Sequence, residues 1–425
     1  MKKIYLGLIV IFCCTSGFAQ NTASPYSILG IGDIEKSYFD KTSAMGHAGI
    51  ALTSDRSVLL SNPASLSFLQ NPFYSNTFYF DLAVRYKSVN YAGDAIKNST
   101  ANQANDLQFK KISIAIKPTK NWGLSFGLLP FSSANYSFSG VKNVQGSTFT
   151  NPVEYQGTGS TNLLYLSNSV LLAKKLSIGV QTSLLFGQLN TNELIYSAIA
   201  DSGLSTEKNI FLSKVIFKGG IIYKDTINKD WNYSIGATGS LKSTINANKE
   251  TTVRNGNSVL KNTKELVNEF TSLPTMFTVG VALNYKANYT FVCDWARQNW
   301  SNENISGSNY KLSNNNKFSV GLQYTNYATV RDTRGNNLMF EKYFYQAGYY
   351  SNNGYLKVQG QNINEWAFTF GAGKQLTANL ALQANVEIGS RGTTNNGLIK
   401  ENFTQVGLSI SYRDFWNTKK IKRYN

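Results

Sequence analysis

Cysteine is nearly absent from this chain. Only three occur, and two of them, Cys13 and Cys14, lie within the first twenty residues. That stretch, MKKIYLGLIVIFCCTSGFAQ, has Lys2 and Lys3, then an apolar run from Ile4 to Cys14, then Gly17 and Ala19 where a signal peptidase reads. It is too short to span a bilayer and has the layout of a cleaved secretory signal over residues 1–19. Ile-Phe before Cys13 is wrong for a lipoprotein, which wants small residues there. Cleavage leaves Cys293 alone, so disulfides within the mature chain are excluded and the fold must be stable without them.

Charge is also scarce, at 15% against about 25% in soluble domains. Long apolar runs are missing: after the leader nothing approaches the ~18 residues of a transmembrane helix, and mean hydropathy is −0.24. Histidine occurs once, as His47, so a serine–histidine hydrolase would have to use that one residue. No His, Cys, Asp and Glu cluster has metal-ligand spacing, and the glycines at 30–32 and 46–49 open no phosphate loop. The sequence therefore predicts no catalytic residue, no metal and no cofactor.

What is plentiful is aromatic: 25 Tyr and 25 Phe, with 34 Gly and only 7 Pro. In a transmembrane barrel only alternate residues face lipid, so hydropathy stays modest while aromatics gather at the two interfaces. The alternation is there to read. FTQVGLSISYR (403–413) sets Val406, Leu408, Ile410 and Tyr412 against Gln405, Gly407, Ser409 and Ser411. Residues 277–285 set Phe277, Val279, Val281 and Leu283 against Thr278, Gly280, Ala282 and Asn284, and 231–241 and 378–389 repeat the pattern. Cys293 falls on the same face as Phe291 and Trp295. A secreted sandwich would share the period, but its outer face would carry more Lys and Glu.

Connections alternate too. KPTKN (117–121), AKKL (173–176), YKANY (285–289) and GKQLTAN (373–379) are short, whereas 244–270, 300–316 and 329–341 are long and rich in Asn, Ser and Gly. Short periplasmic turns and long outer loops are the outer-membrane pattern. The expected fold is all-β: an antiparallel transmembrane barrel of about fourteen strands over residues 75–416, followed by a basic tail, 417–425. A lumen of that width is too large for strand side chains alone to fill. Residues 20–74 do not alternate and are the candidate hatch plugging it. Within them Asn62 suits a helix N-cap and Pro63 the first helical position, and Asp55 suits the cap of a turn through Val58–Leu60.

Two segments carry a resemblance. Ala44-Met45-Gly46-His47-Ala48-Gly49-Ile50-Ala51, then about ten residues, then Asn62-Pro63-Ala64, resembles the hatch of the FadL family of long-chain fatty acid and aromatic-hydrocarbon transporters. SPYSILGIGD (24–33) is similar to the start of FadL-like proteins from Bacteroidetes. The resemblance implies fourteen strands, a lumen-filling hatch with Gly46, Gly49, Asn62, Pro63 and Ala64 as its motif, and an inward kink in strand three opening a lateral gate. Leu129, Pro130 and Phe131 are the candidates for that gate, since a mid-strand proline removes a ladder donor. The implied function is passage of hydrophobic small molecules across a Gram-negative outer membrane, with release into the membrane. The alternative is a non-transporting interaction barrel within a secretion or assembly complex. Expected partners are the hydrophobic ligand, outer-membrane lipids and lipopolysaccharide, and other outer-membrane proteins. Nucleic acid is not expected: after removal of Lys2 and Lys3 the 39 basic residues against 24 acidic lie in loops, turns and the tail KKIKR, suited to anionic head groups.

Overall fold

The structure is a computed structural model and describes residues 24–70, 77–94, 102–143, 146, 148–196, 203–303, 310–331 and 337–415. The signal over 1–19 and the tail over 417–425 lie outside the described residues. Fourteen antiparallel strands close into a barrel. They are β1 (Thr77–Ala92), β2 (Gln103–Thr119), β3 (Trp122–Ser133, resuming at Tyr136–Asn143), β4 (Thr150–Leu172), β5 (Leu176–Tyr196) and β6 (Gly203–Thr226). Then follow β7 (Trp231–Ser240, resuming at Ser243–Asn255), β8 (Ser258–Leu273, resuming at Met276–Tyr285) and β9 (Tyr289–Gln298). The circuit ends with β10 (Asn315–Arg331), β11 (Asn337–Asn352), β12 (Glu365–Gln375), β13 (Leu380–Arg391) and β14 (Lys400–Phe415). β14 returns to β1 over an unbroken ladder from Thr77↔Phe415 to Ala92↔Lys400, so no free edge is left at the seam.

The wall obeys its alternation. Phe217, Ile221, Ile235, Phe277, Phe291 and Leu408 point outward and are exposed, while Ser125, Ser167, Ser177, Ser234 and Thr278 point inward and are buried. An apolar outside and a small, polar inside are what lipid and a filled lumen respectively require. Among the described residues no helix is long and apolar enough to cross a membrane.

Inside lies the N-terminal segment. Val58, Leu60, Leu66 and Leu69 pack with Tyr79, Ala115 and Tyr165 of the inner wall. Met45, Ala48, Ala51, Leu52 and Leu59 form a second cluster with Ala282 and Val292.

Three expectations need correcting. Residues 244–270 are not a loop: β7 and β8 continue as a ladder from Ser243↔Leu273 to Asn255↔Ser258, with β6 along the other side of β7. Polar composition hid these strands: they carry cross-strand pairs such as Lys249–Glu265 and Lys264–Glu250 where the other wall strands carry apolar side chains. The 329–341 connection lies on the side of the short turns, since Tyr324 pairs with Tyr289 beside the 286–288 turn and β10 runs past that level. Its Asn and Gly content reads alike on either side. Finally, Asp55 caps nothing: Val58–Leu60 is not helical, and Ser54 Oγ accepts the Arg56 and Ser57 N–H groups instead. The Leu60 N–H goes to Asp40.

Candidate functional site

The N-terminal segment fixes the floor of a chamber in the lumen. Asn62 opens a 3-10 helix, Pro63–Phe68, and its Oδ1 accepts the Ala64 N–H at 3.0 Å. Its amide donates to the Ile50 carbonyl at 2.8 Å and to the Ile221 carbonyl of β6 at 3.1 Å, so one side chain caps the turn and ties it to the wall. Pro63 and Ala64 approach the backbones of Gly220 and Gly179, where a Cβ would collide with them. Gly46 has φ +62°, and a Cβ on it would overlap the Tyr349 carbonyl; its N–H donates to Thr369 Oγ1. Gly49 and Ile50 donate their N–H groups to the Asp294 carboxylate of β9, at 2.6 and 3.0 Å.

Leu129, Pro130 and Phe131 line the chamber itself, a cavity of about 240 Å³ whose apolar side is completed by Ile34, Tyr38 and Leu163. β3 pairs with β2 only as far as Ile112↔Leu128. Beyond that it keeps β4, with a bulge between Pro130 and Ser132, and takes Asp33–Ile34 of the N-terminal segment as its other neighbour. The Glu35 N–H donates to the Phe131 carbonyl at 2.8 Å.

The seam that β3 leaves is filled with charge. Lys110 is the bulged residue of β2, skipped between Ala83↔Lys111 and Val84↔Phe109, and the bulge turns it inward beside Lys111. It pairs with Glu35, which also receives Arg85 at 3.1 Å, while Asp33 meets Arg391 at 2.7 Å. Burial pushes the Glu35 carboxyl up, but Arg85 and Lys110 outweigh it and hold it down at about 2. A smaller, polar cavity of about 70 Å³ borders these groups.

His47 sits on the same polar side. Its Nε2 lies 3.1 Å from Glu387, its ring stacks on Tyr350 at 5.0 Å, and the Tyr350 hydroxyl stands 2.7 Å from both Glu365 and Glu387. Lys36 completes the group through Glu365. Sequence reading did not find Glu35, Lys110, Asp294, Glu365 or Glu387. For Asp294, Glu365 and Glu387 the available signal was a carboxylate on the inward parity of an otherwise small-residue face. Lys110, shifted by its bulge, and Glu35, on no wall strand, carried none. Among the described residues no cluster of three or more His, Cys, Asp or Glu side chains suits a metal ion.

A family model named BamG matches residues 1–425. The chain belongs to the BamG family. No curated protein sequence matches this BamG-family chain. Solved structures share its fold. The Pseudomonas putida toluene transporter TodX is 15% identical with a TM-score of 0.57, covering 91% of this chain and 100% of its own. A Pseudomonas aeruginosa FadL homologue is 11% identical with a TM-score of 0.57, covering 91% and 100%. The monoaromatic hydrocarbon channel CymD is 11% identical with a TM-score of 0.56, covering 88% and 97%. The chain thus shares the fold of these FadL-type barrels.

Proposed function

We propose that the chain resides in a Gram-negative outer membrane and passes hydrophobic small molecules, long-chain fatty acids or similar, through a barrel plugged by its N-terminal hatch. The observation that carries this reading is the chamber of about 240 Å³, apolar along Leu129, Pro130 and Phe131 and polar along Glu35, His47 and Lys317, set above a hatch held by many specific contacts. The hydrocarbon transport named for TodX and CymD supports it. Ligand enters from the long-loop side, rests in the chamber and leaves sideways where β3 parts from β2, once Asp33–Glu35 is displaced. Contact with lipid and lipopolysaccharide follows from the exposed apolar wall.

The test is uptake of labelled oleate by cells carrying equal surface amounts of each variant. Pro130→Val restores a donor and a strand-favouring side chain, and slows uptake; Phe131→Ala does not. Equal rates for Pro130→Val and wild type remove the strand-three exit.

A second reading, docking to other outer-membrane proteins in a secretion or assembly complex, is favoured by one feature. Beyond Tyr324 and Tyr343 the β10–β11 hairpin has no ladder partner in the wall, is tied to the N-terminal segment through Glu341 and Lys41, and bears an exposed Met339. Absence of uptake above empty vector, with loss of a co-purifying membrane protein on Met339→Asp, selects it.

A further inference from the structure

The wall has a second interruption, on the far side of β4–β6 from the strand-three kink. β6 pairs without a break to β5, from Tyr196↔Gly203 to Leu176↔Tyr223. Towards β7 its ladder stops at Gly219↔Gly239 and resumes only at Leu212↔Ala247. Residues 213–218 and 240–246 therefore face each other across an unzipped seam. β7 breaks there at Leu241–Lys242, and β8 breaks at the same level, with Met276↔Ser240 below and Ser243↔Leu273 above. Pro274 lies in that break and has no N–H to give, so the ladder has nothing with which to bridge it.

The side chains make this seam a passage. Leu241 is 84% exposed and Phe217 61%, both on the lipid-facing side, with exposed Val215, Leu184 and Ile221 around them. These two residues also line a cavity of about 140 Å³ that reaches inward to Tyr38, Phe131 and Leu163. Tyr38, Phe131 and Leu163 are walls of the central chamber as well. A path lined mainly by apolar groups thus joins chamber and membrane at the level of the outward apolar belt. The strand-three seam is the opposite case: Asp33–Glu35 covers it and Lys110 and Arg85 fill it with charge. Bringing an apolar molecule past desolvated ion pairs means separating them first. Among the described residues the cavity at the β6–β7 seam has one charged lining side chain, Lys218, already satisfied by the Tyr38 hydroxyl and the Leu60 carbonyl. Passage there parts no ion pair, and the rest of the lining offers mainly hydrocarbon contact.

We infer that this chain has a second lateral port, between β6 and β7, which binds and passes a slender apolar molecule no wider than one aromatic ring or one alkyl chain. Size sets that limit: a cavity of about 150 Å³ lined by Leu, Ile and Phe holds one benzene or a xenon atom. The inference rests on the transport reading for its direction of flow, while the cavity and its occupant stand on the geometry alone.

Two measurements test it. Ser240 and Ser243 both line the cavity. Ser240→Trp fills it from the inner side, and Ser243→Cys in a Cys293→Ser background allows blockage by a bulky maleimide after folding is complete. Because the strand-three exit carries the added cost of parting ion pairs, the β6–β7 port takes most of the flow. Ser240→Trp lowers oleate uptake several-fold, Pro130→Val lowers it less, and the two combined lower it about tenfold or more. Labelled Ser243→Cys matches Ser240→Trp. Uptake unchanged by both blocks, alone and in the Pro130→Val background, overturns the port and leaves the transport reading standing. In xenon-pressurised crystals of the wild type, density is expected between Phe217, Leu241 and Phe131, and is lost in Ser240→Trp. If wild-type cells take up no oleate, the transport reading fails and the xenon result alone decides: density upholds the apolar site, and its absence overturns it.

Discussion

Glu35 shows how a single side chain holds two elements together. Its N–H meets β3 and its carboxylate meets Arg85 of β1 and Lys110 of β2. Its folded carboxyl titrates near 2, below the ordinary value of about 4.3, so the ionic support is complete at neutral pH. It is lost only as pH falls from about 4 towards 2. Hydrogen-exchange protection of the Glu35 amide, corrected for intrinsic rates, is therefore expected to hold from pH 7 to 5 and to collapse below about 4. Glu35→Gln leaves Lys110 and Arg85 short of a partner and removes that protection already at pH 7, a loss of about 3–5 kcal/mol locally. Protection in the variant equal to wild type would show that the backbone bond alone suffices. Asn62 belongs to the same scale. A cap is worth about 1 kcal/mol, but this amide also bonds the Ile50 and Ile221 carbonyls, so Asn62→Ala is expected to cost about 2–3 kcal/mol of seating. Faster proteolysis within residues 50–70 in intact barrels measures it.

Among the elements, the N-terminal segment and β3 depend on each other. β3 gives up β2 after Leu128, and Asp33–Ile34 takes the freed side at Ser132 and Ser133. Backbone donors there are satisfied by a segment from outside the wall, which is why a kink inside a closed barrel is tolerable at all. Deleting residues 24–70 is expected to raise single-channel conductance in planar bilayers, because the segment packs against the inner wall and because β3 loses a neighbour. Asn62→Ala raises it weakly. Conductance unchanged by the deletion would mean that the wall closes on its own.

On the scale of the molecule, closure dominates. Fourteen strands with an unbroken β1–β14 ladder leave no edge at the seam from which to unzip, so the mature chain is expected to migrate faster on a denaturing gel unheated than boiled. Its circular dichroism spectrum is expected to be dominated by β-structure. A largely helical spectrum, or solubility without detergent, would overturn the architecture. The strand count is legible because lipid on one face and a polar interior on the other impose a period of two on every membrane strand. Where strands carry charged cross-strand pairs instead, as in 244–270, the period fades. Turn residues likewise do not say which end of the barrel they occupy, as 329–341 illustrates.

By itself the sequence determined the class: an all-β barrel built of amphipathic strands, with an opening segment that does not alternate. These are local properties, set by which face of each strand meets which solvent. Only the tertiary structure decided the site. Glu35 lies 50 positions from Arg85 and 75 from Lys110, and His47 lies 340 from Glu387. No local pattern marks partners so far apart, because their burial is settled by barrel closure and by a one-residue bulge. The break between β6 and β7 is similar: Leu241 and Pro274 are unremarkable in sequence, and their meaning comes from standing at one height in adjacent strands.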